Sequence, residues 1–156
     1  MRKIDKKNIY ENIITFIEGL ISDEKNYIAN LANISAILFE NLPNLNWAGF
    51  YLYDGKELVL GPFQGKYACI RIPLGKGVCG NSAKDRKTYI VDNVHEFDGH
   101  IACDSASNSE IVVPIVKNNQ LIGVLDIDSY EFSNFDETDK IYLEKVVEIF
   151  LQYSEI

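Results

Sequence analysis

Cys69, Cys79 and Cys103 are the only thiols in the chain, and they share residues 69–103 with its two histidines, His95 and His100. Thiols gathered in a stretch rich in Gly, Asn, Asp and Ser admit three chemistries: redox cycling, metal binding or a disulfide framework. The framework belongs to small secreted chains without a sufficient core. Here 156 residues at 47% hydrophobic content can build one without staples. Zinc could draw on Cys69, Cys79, His95, His100 and Cys103, but structural zinc shows close ligand pairs such as C-x-x-C. The nearest cysteines are ten apart and no H-x-x-x-H occurs, so no metal is expected. Redox cycling needs an activated thiolate, a second thiol and a reductant. By local chemistry Cys79 is the activated one, because a helix N-terminus lowers a thiol pKa. Cys103 sits in a polar loop, where a thiol can move between substrate and partner. Cys69 falls in an expected strand, where its ordinary reading is a small buried hydrophobe.

A second constellation is GVLDIDS, residues 123–129. In a strand Val124, Asp126 and Asp128 share one face while Leu125 and Ile127 share the other. Two carboxylates in an apolar strand are costly unless paired, and a solvated edge strand is the plain explanation. Glu110 opens the neighbouring strand. If the three acids line one cavity, they can bind an ammonium, and mutual repulsion raises at least one pKa, leaving a proton for general acid catalysis. Trp47 and Tyr51, four apart on another strand, share a face; an aromatic wall beside the acids would suit a thioether or sulfoxide. GKGVCG matches G-x-G-x-x-G through Gly75, Gly77 and Gly80. A dinucleotide site also needs a parallel βαβ unit, and the surrounding hairpins oppose it. A tight strand-to-helix connection with positive φ is the expectation.

The elements that position these residues follow from periodicity. Ile9, Ile13, Phe16, Ile17 and Leu20 mark one helix, and Ile28, Leu31, Ile34, Ile37, Leu38 and Leu42 a second. Trp47–Tyr53 reads as a strand, turned by Asp54-Gly55 into a short strand at 58–60. A third strand is expected over 68–74, a short helix over 79–85 and a strand over 89–91. Residues 92–109 form a long loop, a length that is usually functional. Strands 111–116 and 121–127 form a hairpin through Asn118-Asn119, and Asp136 caps a last helix carrying Ile141, Leu143, Val146, Val147 and Phe150. Tight turns imply an antiparallel sheet, hence an α+β domain. One domain over residues 1–156 is expected, with helices over 1–43, then sheet, active-site loop and C-terminal helix over 46–154.

The net charge of −8 argues against nucleic acid as a partner, since phosphate binding needs clustered Lys and Arg. No stretch approaches the ~18 apolar residues of a membrane span, and the N-terminus has no signal-peptide run. A soluble cytoplasmic protein without a membrane partner is expected.

With these residues in view, the chain resembles the GAF-domain methionine sulfoxide reductases that act on the free amino acid. The resemblance rests on NWAGFYL, GPFQGKYACIRIPLGKGVCG, HIACDSASNSEIVVPI and IGVLDIDS, from about Trp47 to Phe150. It implies a GAF-like fold, with a central antiparallel sheet, helices packed on one face and an active-site loop region on the other. It implies Cys103 as nucleophile, against the local preference for Cys79, with Cys69 resolving and Cys79 in support. It assigns substrate binding and proton supply to Glu110, Asp126 and Asp128, beside Trp47 and Tyr51. It implies free methionine-R-sulfoxide as substrate, a homodimer, no bound cofactor, and reduction by thioredoxin, with NADPH acting indirectly through thioredoxin reductase. The competing class is a non-catalytic GAF domain that binds a small ligand or senses redox state, although the chain leaves no room for an output domain.

Overall fold

The structure, a computed structural model, describes residues 5–100, 103 and 105–156. The first four residues, and Ile101, Ala102 and Asp104 of the long loop, lie outside the described residues. Two helices lead. Asp5 caps α1 (Lys6–Ile21) by accepting from the Asn8 N–H at 3.3 Å. Asn26 caps α2 (Tyr27–Asn41) by accepting from the Ala29 N–H at 3.0 Å; such caps satisfy otherwise orphaned donors. The buried stripe of α1 is Tyr10, Ile13, Ile17 and Ile21. Phe16 and Leu20, expected on that stripe, are exposed, as are Ile28 on α2 and Ile141 on the last helix. A 3.6-residue period admits one narrow face, and neighbours along the helix point away from it.

The strands are β1 (Leu45–Tyr53), β2 (Glu57–Gly65), β3 (Arg71–Pro73), β4 (Tyr89–Val91), β5 (Ser109–Lys117) and β6 (Gln120–Ser129). They form a six-stranded sheet in the order β3-β2-β1-β6-β5-β4, antiparallel at every pair. This removes the parallel unit that a dinucleotide site requires. Asn118 and Asn119 make the β5–β6 turn with φ of 50° and 64°, as a type I′ turn demands. The Asp54-Gly55 connection is longer than a two-residue turn: Asp54 accepts from the N–H groups of Lys56 and Glu57, both at 2.9 Å. β2 runs past the expected Leu60 to Gly65 because it pairs along β1 as far as Trp47. The strand expected over 68–74 shrinks to Arg71–Pro73, so Cys69 is a half-buried residue of the preceding link rather than a strand residue.

Alternation along the strands divides the core. Ala48, Phe50, Ile111, Val113, Leu125 and Ile127 point to one face and pack under α1, α2 and α4 (Glu137–Tyr153). Asp136 caps α4 in a capping box, its carboxylate accepting from Thr138 and Asp139. Asp139 in turn accepts from Lys6 at 2.6 Å and from the buried Tyr10 hydroxyl, joining α4 to α1. The opposite face carries Trp47, Tyr51, Val112 and Val124 beneath α3 (Gly77–Asp85). The three long helices thus share one face, as expected, while the short α3 lies with the loop region on the other.

Candidate active site

On the α3 face, strand register sets out rows of side chains. Trp47 on β1 lies opposite Asp128 on β6, which lies opposite Glu110 on β5. In the next row Gly49 faces Asp126, and Asp126 faces Val112. Tyr51 follows opposite Val124. A side chain at 49 is barred, because a Cβ there would meet the Phe63 Cβ at 2.3 Å. Three carboxylates therefore occupy adjacent positions on the neighbouring strands β5 and β6. Glu110 is 7% and Asp126 5% exposed; the solvated-edge explanation fails because β6 lies between β1 and β5.

α3 brings Cys79 onto this cluster. Gly75 (φ 84°) and Gly77 (φ 62°) turn the chain into the helix, a backbone region costly for other residues. A Cβ at Gly80 would lie 2.4 Å from the Pro73 carbonyl. The G-x-G-x-x-G spacing thus serves a tight strand-to-helix connection. Cys79 is buried, and its thiol lies 3.9 Å from Glu110 Oε2, to which it donates.

Burial pushes the Cys79 thiol well up, and the charges of Asp126, Glu110 and Asp128 push it further. Cys79 is therefore a protonated thiol, the opposite of the expected activated thiolate: three neighbouring carboxylates outweigh a helix N-terminus. Glu110 is raised well above the usual carboxylate range, first by burial, then by Asp126 and Asp128. Burial also raises Asp126, while hydrogen bonds from Glu110 and Cys79 oppose the rise. Glu110, raised further than Asp126, is thus the acid of the pair that holds a proton more readily. Asp126 Oδ1 is buried with no hydrogen-bond partner among the described residues.

Cys103 and Cys69 are joined as a disulfide with Cα atoms 5.4 Å apart. This occupies two of the thiols expected as possible zinc ligands, while His95 Nε2 contacts Asn108 Oδ1 at 2.8 Å. Cys79, Glu110 and Asp126 remain as a trio whose ligand atoms lie within 4.8 Å of one another. Cys103 lines the same pocket as Cys79, the three carboxylates, Trp47 and Tyr51. The aromatic rings stack, Trp47 on Tyr51 at 5.9 Å and on Phe63 at 5.1 Å between centroids. Their polar tips hold the Cys69-bearing link: the Tyr51 hydroxyl donates to the Cys69 carbonyl at 2.9 Å and the Trp47 indole N–H to the Lys66 carbonyl at 3.1 Å. Burial first, then Asp126, raises the Tyr51 phenol far beyond neutrality, so it stays a donor.

All eight site residues expected from sequence line this pocket or, for Cys69, bond to a residue that does. Sequence reasoning passed over Lys76 and Ser107, which also line it. Lys76 had a signal, a cation held between two turn glycines. Ser107 had none; it is 5% exposed and accepts from Asn46 at 3.0 Å. His100 also lines the pocket, its pKa lowered by burial and by His95.

Comparison with known proteins places the site in a family. Residues 29–150 match the GAF domain model. The free methionine-R-sulfoxide reductase of Escherichia coli strain K12 is 51% identical over 144 residues, 92% of this chain and 87% of that protein. The crystallised free methionine-R-sulfoxide reductase of Neisseria meningitidis, in complex with its substrate, superposes with a TM-score of 0.93 at 44% identity, covering 98% of this chain and 92% of that one. A GAF sensor protein from Burkholderia vietnamiensis, named as putative, gives 0.94 at 49% identity over 97% and 96%. With a GAF sheet that carries a disulfide over a pocket of buried acids, the chain belongs to the GAF-domain free methionine-R-sulfoxide reductase family.

Proposed function

We propose that this protein reduces free L-methionine-(R)-S-oxide to L-methionine and is recharged by thioredoxin. The observation that carries the reading is the meeting of a Cys69–Cys103 disulfide and a buried acid of raised pKa, Glu110, at one pocket. In the reduced enzyme the Cys103 thiolate attacks the sulfoxide sulfur. The oxygen leaves only when protonated, and Glu110 is the donor. Methionine departs and Cys103 is left as a sulfenic acid. The Cys69 thiol condenses with it, forming the S–S bond and releasing water, and an external dithiol reduces that bond. Two thiol electrons thus reduce one sulfoxide. Cys79 keeps its proton and supports Glu110.

Recognition follows from charge. Asp126 and Asp128 hold the α-ammonium, with Asp126 Oδ1, which has no partner among the described residues, accepting one of its hydrogens. Lys76, the one Lys or Arg among the described lining residues, pairs with the α-carboxylate. Trp47 and Tyr51 wall the thioether. A peptide-bound residue lacks both charges and is excluded. The cycle needs a reducing compartment, and we place it in the cytoplasm; no helix among the described residues is long and apolar enough to cross a membrane. Phe16 and Leu20, exposed on α1, support a homodimer paired through the N-terminal helices.

NADPH consumption with thioredoxin and its reductase tests the reading, using the free R-sulfoxide, the S epimer and a peptide-bound sulfoxide. Turnover of the free R form alone, abolished in Cys103→Ser, is expected. No turnover with any sulfoxide by folded, reduced protein would leave a ligand-binding or redox-sensing domain, whose ligand affinity would survive Cys103→Ser.

A further inference from the structure

We propose that Cys79, Glu110 and Asp126 on the pocket floor form a binding site for a thiophilic divalent cation, zinc above all, which excludes the substrate while bound. The ion takes no part in the reduction.

The three ligands come from three elements, α3, β5 and β6, so packing rather than local sequence assembles them. Their ligand atoms lie within 4.8 Å of one another, and the Cys79 sulfur is 3.9 Å from Glu110 Oε2. Zinc binds sulfur at about 2.3 Å and carboxylate oxygen at about 2.0–2.2 Å in a tetrahedral shell, which sets S···O contacts near ~3.5 Å and O···O contacts near ~3.4 Å. Small side-chain adjustments therefore close the trio on an ion. All three residues are buried, unlike the acidic clusters common on surfaces. A second observation concerns the ligand directly: Asp126 Oδ1, in the same cluster, is buried and accepts from no donor among the described residues. A buried carboxylate oxygen without a donor is the costly case, and a cation satisfies it.

Ligand type decides which cation. One thiolate and two carboxylates suit zinc, whereas calcium and magnesium require six or more oxygens. Binding is a ligand exchange without redox change: the S–H and the Glu110 carboxyl release their protons to solvent as metal–ligand bonds form. Charge favours the exchange, since a cluster able to hold an ammonium attracts a dication more strongly. The exclusion of substrate rests on the reductase reading, because the ammonium and the ion would share Asp126; binding of the metal does not.

Cobalt(II) is the probe, added to the oxidised protein. There Cys69 and Cys103 are joined and Cys79 is the remaining thiol. A thiolate-to-cobalt charge-transfer band with tetrahedral d–d absorption is expected, displaced by zinc. Cys79→Ser should abolish the band, and Asp126→Asn should weaken cobalt binding at least tenfold, both in protein shown folded by circular dichroism. No thiolate band in the oxidised wild type, or a band that persists in Cys79→Ser, overturns the site. In the reduced enzyme zinc should raise the apparent KM for the sulfoxide with kcat unchanged; a fall in kcat alone overturns the competition. A band without any turnover to inhibit keeps the metal site and removes the reductase reading.

Discussion

The two faces of the sheet are built from the same strands and do opposite things. Toward α1, α2 and α4 the strands present Phe50, Ile111, Val113, Leu125 and Ile127, a dry apolar layer. One residue along each strand, the other face presents Trp47, Glu110, Asp126 and Asp128 under a nine-residue helix. Three helices of 15 to 17 residues cover the first face. The difference teaches that stability and chemistry are separated by the pleat: the apolar layer offsets the burial of acids on its reverse.

Substitutions one residue apart on β6 break or sharpen that separation. Asp126→Asn should raise the KM for the free sulfoxide about 10–100-fold, the scale of a lost charge-assisted contact to the substrate ammonium, while the thermal midpoint holds or rises because a buried charge is gone. A matching fall in midpoint would show that the reactive face also carries stability. Leu125→Ala, on the dry face, should cost about 2–5 kcal/mol in denaturant unfolding, with kcat per folded molecule unchanged; a large kcat loss would show that the faces are coupled.

The pH dependence separates the faces again. Burial holds the Glu110 pKa well above its ordinary value, so the native state keeps a proton that the unfolded chain has lost. Stability from this group is therefore full below the unfolded pKa, ~4.3, and is lost as pH rises through the folded one. Glu110→Gln should flatten that alkaline decline in a series of melts, and the wild-type turnover should fall over the same range. A decline unchanged in Glu110→Gln would assign it to another group.

The smallest effect concerns the tie between wall and disulfide. Tyr51→Phe keeps the ring and removes the hydrogen bond to the Cys69 carbonyl, worth about 0.5–1.5 kcal/mol. Disulfide formation after a single turnover, followed by trapping the sulfenic acid, should slow about 2–10-fold with KM nearly unchanged. A KM change alone would make Tyr51 a substrate contact and nothing more.

Local rules read some of this correctly and failed for a shared reason elsewhere. The Asn118-Asn119 turn, the Asp136 cap and the alternation of Val124, Asp126 and Asp128 depend on neighbours in sequence, and all three are present. Whether Asp126 is wet or dry depends on which strands flank β6, and its partners on β1 lie more than 70 residues away. Cys79 reads as a reactive thiol from its helix and as an inert one from Glu110 and Asp126, which other elements supply. The pairing of Cys69 with Cys103 has no local signal at all; it came from family resemblance. Phe16 and Leu20 fit an apolar helix by composition, but the face that packs is chosen by α4 and the sheet.

The Cys69–Cys103 bond spans a sequence separation of 34 residues, and this has a consequence for the lifetime of the protein. A cross-link of that span restricts the unfolded chain by about 3–4 kcal/mol on the loop-entropy account. Oxidised molecules should therefore open more rarely than reduced ones, and be cut more slowly by proteases that attack the open form. Under oxidant load, when disulfides form faster than they are reduced, the waiting population would be the more durable one. Its half-life, like a watermark, would record how recently the cell was stressed.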